Sequence, residues 1–405
     1  MSALSVEELD LLAPIEREAI LDRTLDWAAI NSGTGNLAGL AAMADRLAEA
    51  FAALPGDIRL VDPAPVEKVD AEGKLREVGH GRHLLLSVRP EAERRVLLTG
   101  HMDTVYAREH PFQTCSWIDA DRLNGPGTAD MKGGLSLMLA GLVAYEQTAP
   151  SLGYDVLINS DEETGSLSSA ALIARRAHSK LAALTYEPGL PDGSMARARP
   201  GSGNYAAVIT GRSAHAGRNP QDGRNAILAA SELALRLAAG IREGLTINPA
   251  RIEGGAPNNT VPDLAILHFN LRPRSPELAE VARALVDEAV AHASVTHDVQ
   301  IHLHGQISRP PKPITPQTEA LFALVGKAAA DLGQLGDEPM RWQDTGGVCD
   351  GNNIAACGVP VLDTMGALGG AIHSPQEFMI ASSLDARARL TALVLHRLDR
   401  NGVHA

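Results

Sequence analysis

The chain is short of aromatic residues, of cysteine and of positive charge, and each shortage narrows what it can be. Phe, Trp and Tyr supply 3% of the 405 residues, so aliphatic side chains must fill the core. The 3 cysteines, Cys115, Cys349 and Cys357, form no paired framework of the kind that staples secreted folds. The expectation is free thiols in a reducing cytoplasm. A formal net charge of −13 sets the surface against phosphate backbones and anionic lipid, so neither nucleic acid nor membrane is expected as a partner. No apolar run approaches the roughly 20 residues that span a bilayer. Met1–Leu21 is acidic and lacks the basic and apolar regions of a signal peptide, so none is expected.

What is present is ordinary for a soluble globular protein, with 45% apolar and 21% charged residues. The length suffices for two domains with cores of their own. Apolar periodicity predicts helices at Pro14–Ile30, Asn36–Ala53 and Gly133–Gln147, and short strands at Arg82–Arg89, Arg95–Gly100, Tyr154–Asn159 and Leu181–Tyr186. Such alternation predicts an α/β domain with a mostly parallel sheet covered by helices. The rhythm then changes. Strands at Asn204–Thr210, Leu245–Glu253, Leu264–Arg272 and Asp298–Gln306 surround helices at Arg224–Glu243 and Pro276–Ala293. That order, β-α-β-β-α-β, predicts a ferredoxin-like insertion. After the proline-rich stretch Arg309–Pro316, Thr318–Leu332, Val359–Asp363 and Leu384–Leu398 return to the first domain. The expected boundaries are 1–198 with 309–405 for one domain and 199–308 for the insertion.

Five clusters carry candidate chemistry. Gly100-His101-Met102-Asp103-Thr104 follows a strand and sets two polar side chains two residues apart, on one side. That suits a metal ligand with a carboxylate to orient it, or a solvated loop. Gly125-Pro126-Gly127-Thr128-Ala129-Asp130-Met131-Lys132-Gly133-Gly134 is a glycine-rich turn entering a helix around one carboxylate. It reads also as a phosphate cradle or a plain helix cap, although its spacing fits neither nucleotide fingerprint. Asp161-Glu162-Glu163-Thr164-Gly165 sets three carboxylates side by side, which demands a cation if buried and is unremarkable in an exposed turn. Tyr186-Glu187-Pro188-Gly189 ends a strand with a carboxylate, and Gly370-Ala371-Ile372-His373-Ser374-Pro375 holds a late histidine. All fall at the carboxyl ends of strands, where open α/β sheets bind ligands. Two histidines and three acids suit two divalent ions sharing a carboxylate about 3.5–4 Å across, with one further carboxylate left over as a general base.

This ordered set resembles the di-zinc metallopeptidase family of glutamate carboxypeptidase, aminoacylase, acetylornithine deacetylase and succinyl-diaminopimelate desuccinylase. The resemblance runs over essentially the whole chain. Gly-His-Met-Asp-Thr-Val, Ser-Asp-Glu-Glu-Thr-Gly-Ser and Tyr-Glu-Pro are most similar to the glutamate carboxypeptidase branch. It implies a catalytic α/β domain with a lid that also dimerises. One zinc would take His101, Asp130 and Glu187, and the other Asp130, Glu163 and His373, with cobalt or manganese as substitutes. Asp130 would bridge them with a water or hydroxide, through a cis Asp130–Met131 bond. Asp103 would hold His101, and Glu162 would be the base. His215, in Gly211-Arg212-Ser213-Ala214-His215-Ala216-Gly217, would reach the partner subunit's site in a homodimer; on residues alone it reads as a surface histidine. Arg272 and Asn259 match family positions near substrate, and Gly346, Gly347 and Cys349 stand in a Thr-Gly-Gly loop, where Cys349 reads equally as a buried free thiol.

The substrate class implied is a small molecule or short peptide with a free carboxylate, cut at the adjacent amide. The alternatives are an N-acyl-amino-acid deacylase of the acetylornithine deacetylase or aminoacylase type, a non-catalytic binding protein of the same fold, and a nucleotide-binding α/β protein using Gly125–Gly134. Family members often carry lysine where Arg199-Pro200 stands, which bears on substrate recognition. His80, His83, His292, His302, His304 and His396 lack partners at ligand spacing, and His80 and His83 are expected to be exposed.

Overall fold

The structure is a computed structural model and describes residues 4–336 and 338–403. The opening residues of Met1–Leu21 therefore lie outside the described residues. The central sheet has six strands, in the spatial order Asp57–Val61, His83–Val88, Gly153–Asn159, Arg95–His101, Ala182–Thr185 and Val361–Leu362. The inner pairings, from Gly153–Asn159 to Val361–Leu362, are parallel. The edge formed by Asp57–Val61 and His83–Val88 is antiparallel. Alternation of strands with helices carries no information about that edge, so the sheet is mostly rather than wholly parallel.

Side chains of a strand point alternately to opposite faces, and both faces here are covered. Val96 and Leu98 join the larger core with Val156, Ile158 and Leu184, whereas Leu97, Leu157 and Ala183 join a smaller core on the other side. Helices Leu37–Phe51, Gly133–Glu146 and Ser383–Asn401 supply the first layer, and Ala170–Ala177 and Asp350–Ala355 the second. Gly133–Glu146 is buried almost all round. Its Gly134 lies so close to the sheet that an added Cβ would sit 2.3 Å from the Tyr186 carbonyl oxygen, so only glycine fits.

Between Ser202 and Arg309 the chain forms a second, antiparallel sheet in the order Leu245–Gly254, Leu264–Pro273, Ser202–Thr210, Gln300–Arg309. Helices Ala226–Ala239 and Pro276–His297 cover one face through Ala207, Ile209, Ile247, Leu267, Phe269 and Leu271. Small helix residues such as Ala229, Ala230, Ala282 and Ala289 permit this close approach. The expected β-α-β-β-α-β order is present. Local signals set the helix starts: the side chains of Asn225 and Ser275 accept from the first turn, and Pro276 stands where no donor is needed.

His83 departs from expectation. It is 1% exposed, because it opens the buried strand His83–Val88 and its ring faces Ser160 and Ser168. The nearby glycine suggested exposure, although His83 falls inside the expected strand Arg82–Arg89. The helices Val6–Leu12, Ala170–Ala177 and Asp350–Ala355 were not anticipated either; each is shorter than the window of about 11–18 residues over which apolar periodicity is read.

Leu98 lies in the central parallel strand and is fully buried. Leu98→Ala is expected to lower stability by about 2–5 kcal/mol, measured as an earlier midpoint in urea unfolding. An unchanged midpoint would show that this sheet does not limit unfolding.

Candidate metal centre

Parallel strands end on one edge of a sheet, and three adjacent ones here end in ionisable groups. Arg95–His101 leads to Asp103, Gly153–Asn159 to Asp161, Glu162 and Glu163, and Ala182–Thr185 to Glu187. The turn before helix Gly133–Glu146 brings in Asp130, and the loop after Gly369–Gly370 brings in His373. His101 Nε2 lies 3.1 Å from Asp130 Oδ1 and 3.8 Å from Glu187 Oε2. His373 Nε2 lies 3.3 Å from Asp130 Oδ2 and 3.1 Å from Glu163 Oε2. Two groups thus have ligand atoms converging within 4.8 Å, His101 with Asp130 and Glu187, and Asp130 with Glu163 and His373. Asp130 belongs to both. The Asp130–Met131 peptide is cis, and His373 has a left-handed backbone, φ 61°.

The donor set fits divalent cations. Carboxylates and imidazoles converge with few bonds among themselves, and Glu187 Oε1 is buried with no hydrogen-bond partner. Burial, then the Asp130 charge, pushes Glu163 up to about 7. Burial likewise raises Glu187 and, against the pull of Arg309, Glu162. Hydrogen bonds to Asp130 and Glu163 raise His373 to about 11. Burial opposes charge on Asp130, yet His101 and His373 hold it below the carboxylate range. Negative groups forced together in this way are the electrostatic signature of a missing positive charge.

The supporting contacts are specific. His101 Nδ1 meets the Asp103 carbonyl at 2.9 Å and its carboxylate only at 3.5 Å. The Asp103 carboxylate instead accepts from Glu162 N–H, Glu163 N–H and Thr34. Asp103 therefore aligns the acidic turn as much as the imidazole. The glycine-rich turn is no phosphate cradle: the N–H groups of Gly127, Ala129 and Asp130 already donate to the Glu377 carboxylate.

The groups face a cleft of about 670 Å³ lined by both sheets, with Asp130, Glu162, Glu163, Glu187 and His373 on one side and Asn204, Asn270 and Arg272 on the other. Gly347 and Cys349 line it too. Gly346 takes part through its carbonyl, which accepts from Arg272 at 2.9 Å. His215 and Asn259 do not line the cleft of this chain. They lie together on exposed neighbouring loops, where Ala216 N–H donates to the Asn259 carbonyl.

Four further residues near the site have no structural role in the sequence reading, which noted Arg199 only as a departure bearing on substrate recognition. Arg309, 5% exposed, places Nη2 at 2.7 Å from Glu162 Oε1. Arg199 and Lys312, both buried, converge on Asp363 at 2.7 and 2.8 Å. Glu377 is the fourth. The Arg-Pro pairs at Arg199 and Arg309, which bracket the insertion, were the available signal for two of them.

Comparison with known proteins agrees with this geometry. Residues 97–397 match the profile of Peptidase family M20/M25/M40. The chain is 28% identical over 395 residues to Carboxypeptidase G2 of Pseudomonas sp. (strain RS-16), covering 94% of this chain and 89% of that protein. It is 29% identical over 332 residues to a succinyl-diaminopimelate desuccinylase of Methylorubrum populi, covering 75% and 82%. A tripeptidase from Staphylococcus aureus shares the fold with a TM-score of 0.74 at 23% identity, covering 96% and 100% of the two chains.

The Arg199–Asp363–Lys312 cluster makes a stability prediction. Burial opposes the Asp363 charge, but the guanidinium and ammonium hold its carboxyl at about 2. A depressed carboxylate stabilises the fold fully above its unfolded value, and that contribution fades as pH falls through the folded value. Asp363→Asn, which strands two buried cations, is expected to cost about 3–5 kcal/mol at neutral pH. The gap to wild type should narrow only below about pH 4. Urea unfolding at pH 7 and pH 3 measures both; equal stability at pH 7 would refute the pairing.

Proposed function

The chain belongs to Peptidase family M20/M25/M40 and is an amide-bond hydrolase, and from this premise we propose that it cuts an amide next to a free carboxylate, in the manner of a carboxypeptidase. The observation that carries the reading is the pair of donor groups sharing Asp130, with Glu162 lining the same cleft. His101, Asp130 and Glu187 would hold one cation, and Asp130, Glu163 and His373 the other, zinc by preference with cobalt or manganese as substitutes. Bound there, such ions polarise a carbonyl and lower the pKa of water toward neutrality.

The chain's own residues do the rest. Glu162 takes the proton of the attacking water and passes it to the leaving nitrogen. Asp103 fixes the backbone of Glu162 and Glu163, so that base and ligand keep their spacing. Arg272 lines the cleft, which favours a substrate carrying a carboxylate that a guanidinium can grip at two points; Arg199 and Arg309 line it too but are engaged by Asp363 and Glu162. Arg272, reaching Gly346 from the opposite sheet, with Gly347 and Cys349 beside it, forms the far wall of that binding region. An N-acyl-amino-acid deacylase is the second reading, favoured by the desuccinylase and deacetylase names among relatives. A panel of N-acyl amino acids and short peptides distinguishes the two.

Residues 199–308 would serve as a lid and dimerisation domain. Leu228, Leu235, Ile241 and Ile252 are exposed on the insert, and Leu245–Gly254 is an edge strand, all features that support self-association. His215 and Asn259, which do not line this chain's cleft, would then act in the partner's.

Metal removal, two substitutions and their mixing test the reading. Chelation should abolish hydrolysis and zinc or cobalt restore it, while Glu162→Gln should lose about 10²–10⁴-fold in rate with its metal retained. Turnover in metal-free protein, or metal lost from the variant, would overturn the assignment. His215→Ala should lose about 10²–10³-fold in turnover. Mixing it with Glu162→Gln should recover activity in exchanged dimers, and exchange without recovery would exclude action between subunits.

A further inference from the structure

Glu377 is a buried carboxylate, 1% exposed, that makes no ion pair among the described residues and does not line the cleft; the buried Lys132 ammonium, bonded to the Ile30 carbonyl, acts on it through charge alone. Its bonds are to backbone and to one phenol. Oε1 accepts from Ala129 N–H at 3.0 Å and Asp130 N–H at 3.1 Å. Oε2 accepts from Gly127 N–H at 3.2 Å and from the Tyr106 hydroxyl at 2.8 Å. The backbone of Glu377 is engaged as well. Its N–H donates to the Ser374 carbonyl at 2.9 Å, and its carbonyl accepts from the Asn124 amide at 2.6 Å. Tyr106 shares its hydroxyl with that same Ser374 carbonyl, at 2.8 Å.

These bonds join two segments far apart in sequence. Gly127 to Asp130 is the turn that carries the shared aspartate, and Ser374 follows His373 directly. We infer that Glu377 is a positioning residue for the metal centre: through backbone hydrogen bonds it fixes the turn bearing Asp130 against the loop bearing His373. The inference rests on the reading of Asp130 and His373 as metal ligands.

The chemistry explains why a carboxylate stands here. The N–H groups at the start of a helical turn have no carbonyl to receive them. An ionised carboxylate has two oxygens and about four acceptor sites, and no donor to clash with the incoming N–H groups. Glutamine would accept on one side only and turn an NH₂ toward two donors. One carboxylate therefore sets the distance between Asp130 and His373, which a cation held by both requires. Outer partners that orient ligands in this way are typically worth about 10- to 100-fold in metal affinity.

The test is titration of the metal-stripped full-length protein with Zn²⁺ and Co²⁺ in competition with a chromophoric chelator. Glu377→Gln should bind metal about 10- to 100-fold more weakly than wild type. Its kcat should fall at limiting metal with KM little changed, and excess Zn²⁺ should restore kcat, as repair of a merely misfolded variant would not. Tyr106→Phe, which removes a single donor to the same carboxylate, should weaken metal binding by a smaller factor and covers the case in which the glutamine variant does not fold. Unchanged metal affinity in the folded variants, or a loss of kcat that excess metal leaves in place, would overturn the inference while leaving the metal reading intact. Absence of stoichiometric metal in the wild-type protein would overturn both.

Discussion

Taking a carboxylate out of water costs several kcal/mol unless other groups replace the solvent, and this chain buries Asp103, Asp130, Asp161, Glu162, Glu187, Asp350, Asp363 and Glu377 around one sheet edge. It meets that cost in three ways. Asp363 has two cations, Arg199 and Lys312. Asp103, Asp161 and Glu377 have backbone N–H groups and hydroxyls. Glu162 and Asp350 share Arg309. What remains is Asp130 and Glu187, joined by the partly buried Glu163, with two histidines between them. The other carboxylates at this edge have local partners, so among these acids the imbalance falls at the positions where a divalent ion would have its ligands.

The fold creates that imbalance by geometry. Parallel strands deliver their carboxyl ends to one edge, so His101, Glu162, Glu163 and Glu187 arrive together without long loops. Asp130 and His373 come from outside the sheet, and their segments need separate anchorage. The Asp130 turn is gripped by Glu377, and the adjoining helix packs its glycine against Tyr186, one residue before Glu187. Rigid elements thus surround a centre whose own groups repel one another, which is how strained or frustrated sites persist.

The donors were legible in the sequence because each ends a short apolar run or sits in a glycine-bounded turn, and strand ends are where α/β sheets place their ligands. The insertion was legible from a change of rhythm. The antiparallel edge of the large sheet was not, since strand direction leaves no mark on apolar periodicity. Nor was the burial of His83, which stands between Arg82 and the apolar run Leu84–Leu86 and whose partners in space, Ser160 and Ser168, lie some 80 residues away in sequence. Glu377 stayed hidden for a related reason. Its partners are backbone N–H groups some 250 residues earlier, and backbone donors have no residue identity for a motif to record.

Arg309 shows how the two sheets become one site. It is the last residue of the insert's strand Gln300–Arg309, and its guanidinium crosses to the catalytic side, where Nη2 meets the Glu162 carbonyl at 2.8 Å and Ser166 Oγ at 2.9 Å as well as the Glu162 carboxylate. Ser166 in turn donates to Asp350, whose other oxygen receives the Asn159 amide. Asn159 ends the central strand that leads to the acidic turn. The orientation of Glu162 is therefore set by hydrogen bonds from both ends of its turn, one end anchored in the central sheet and the other in the insert. Any shift of the insert relative to the central sheet moves the guanidinium that holds Glu162, so the placement of the second sheet is part of the definition of the candidate site's geometry.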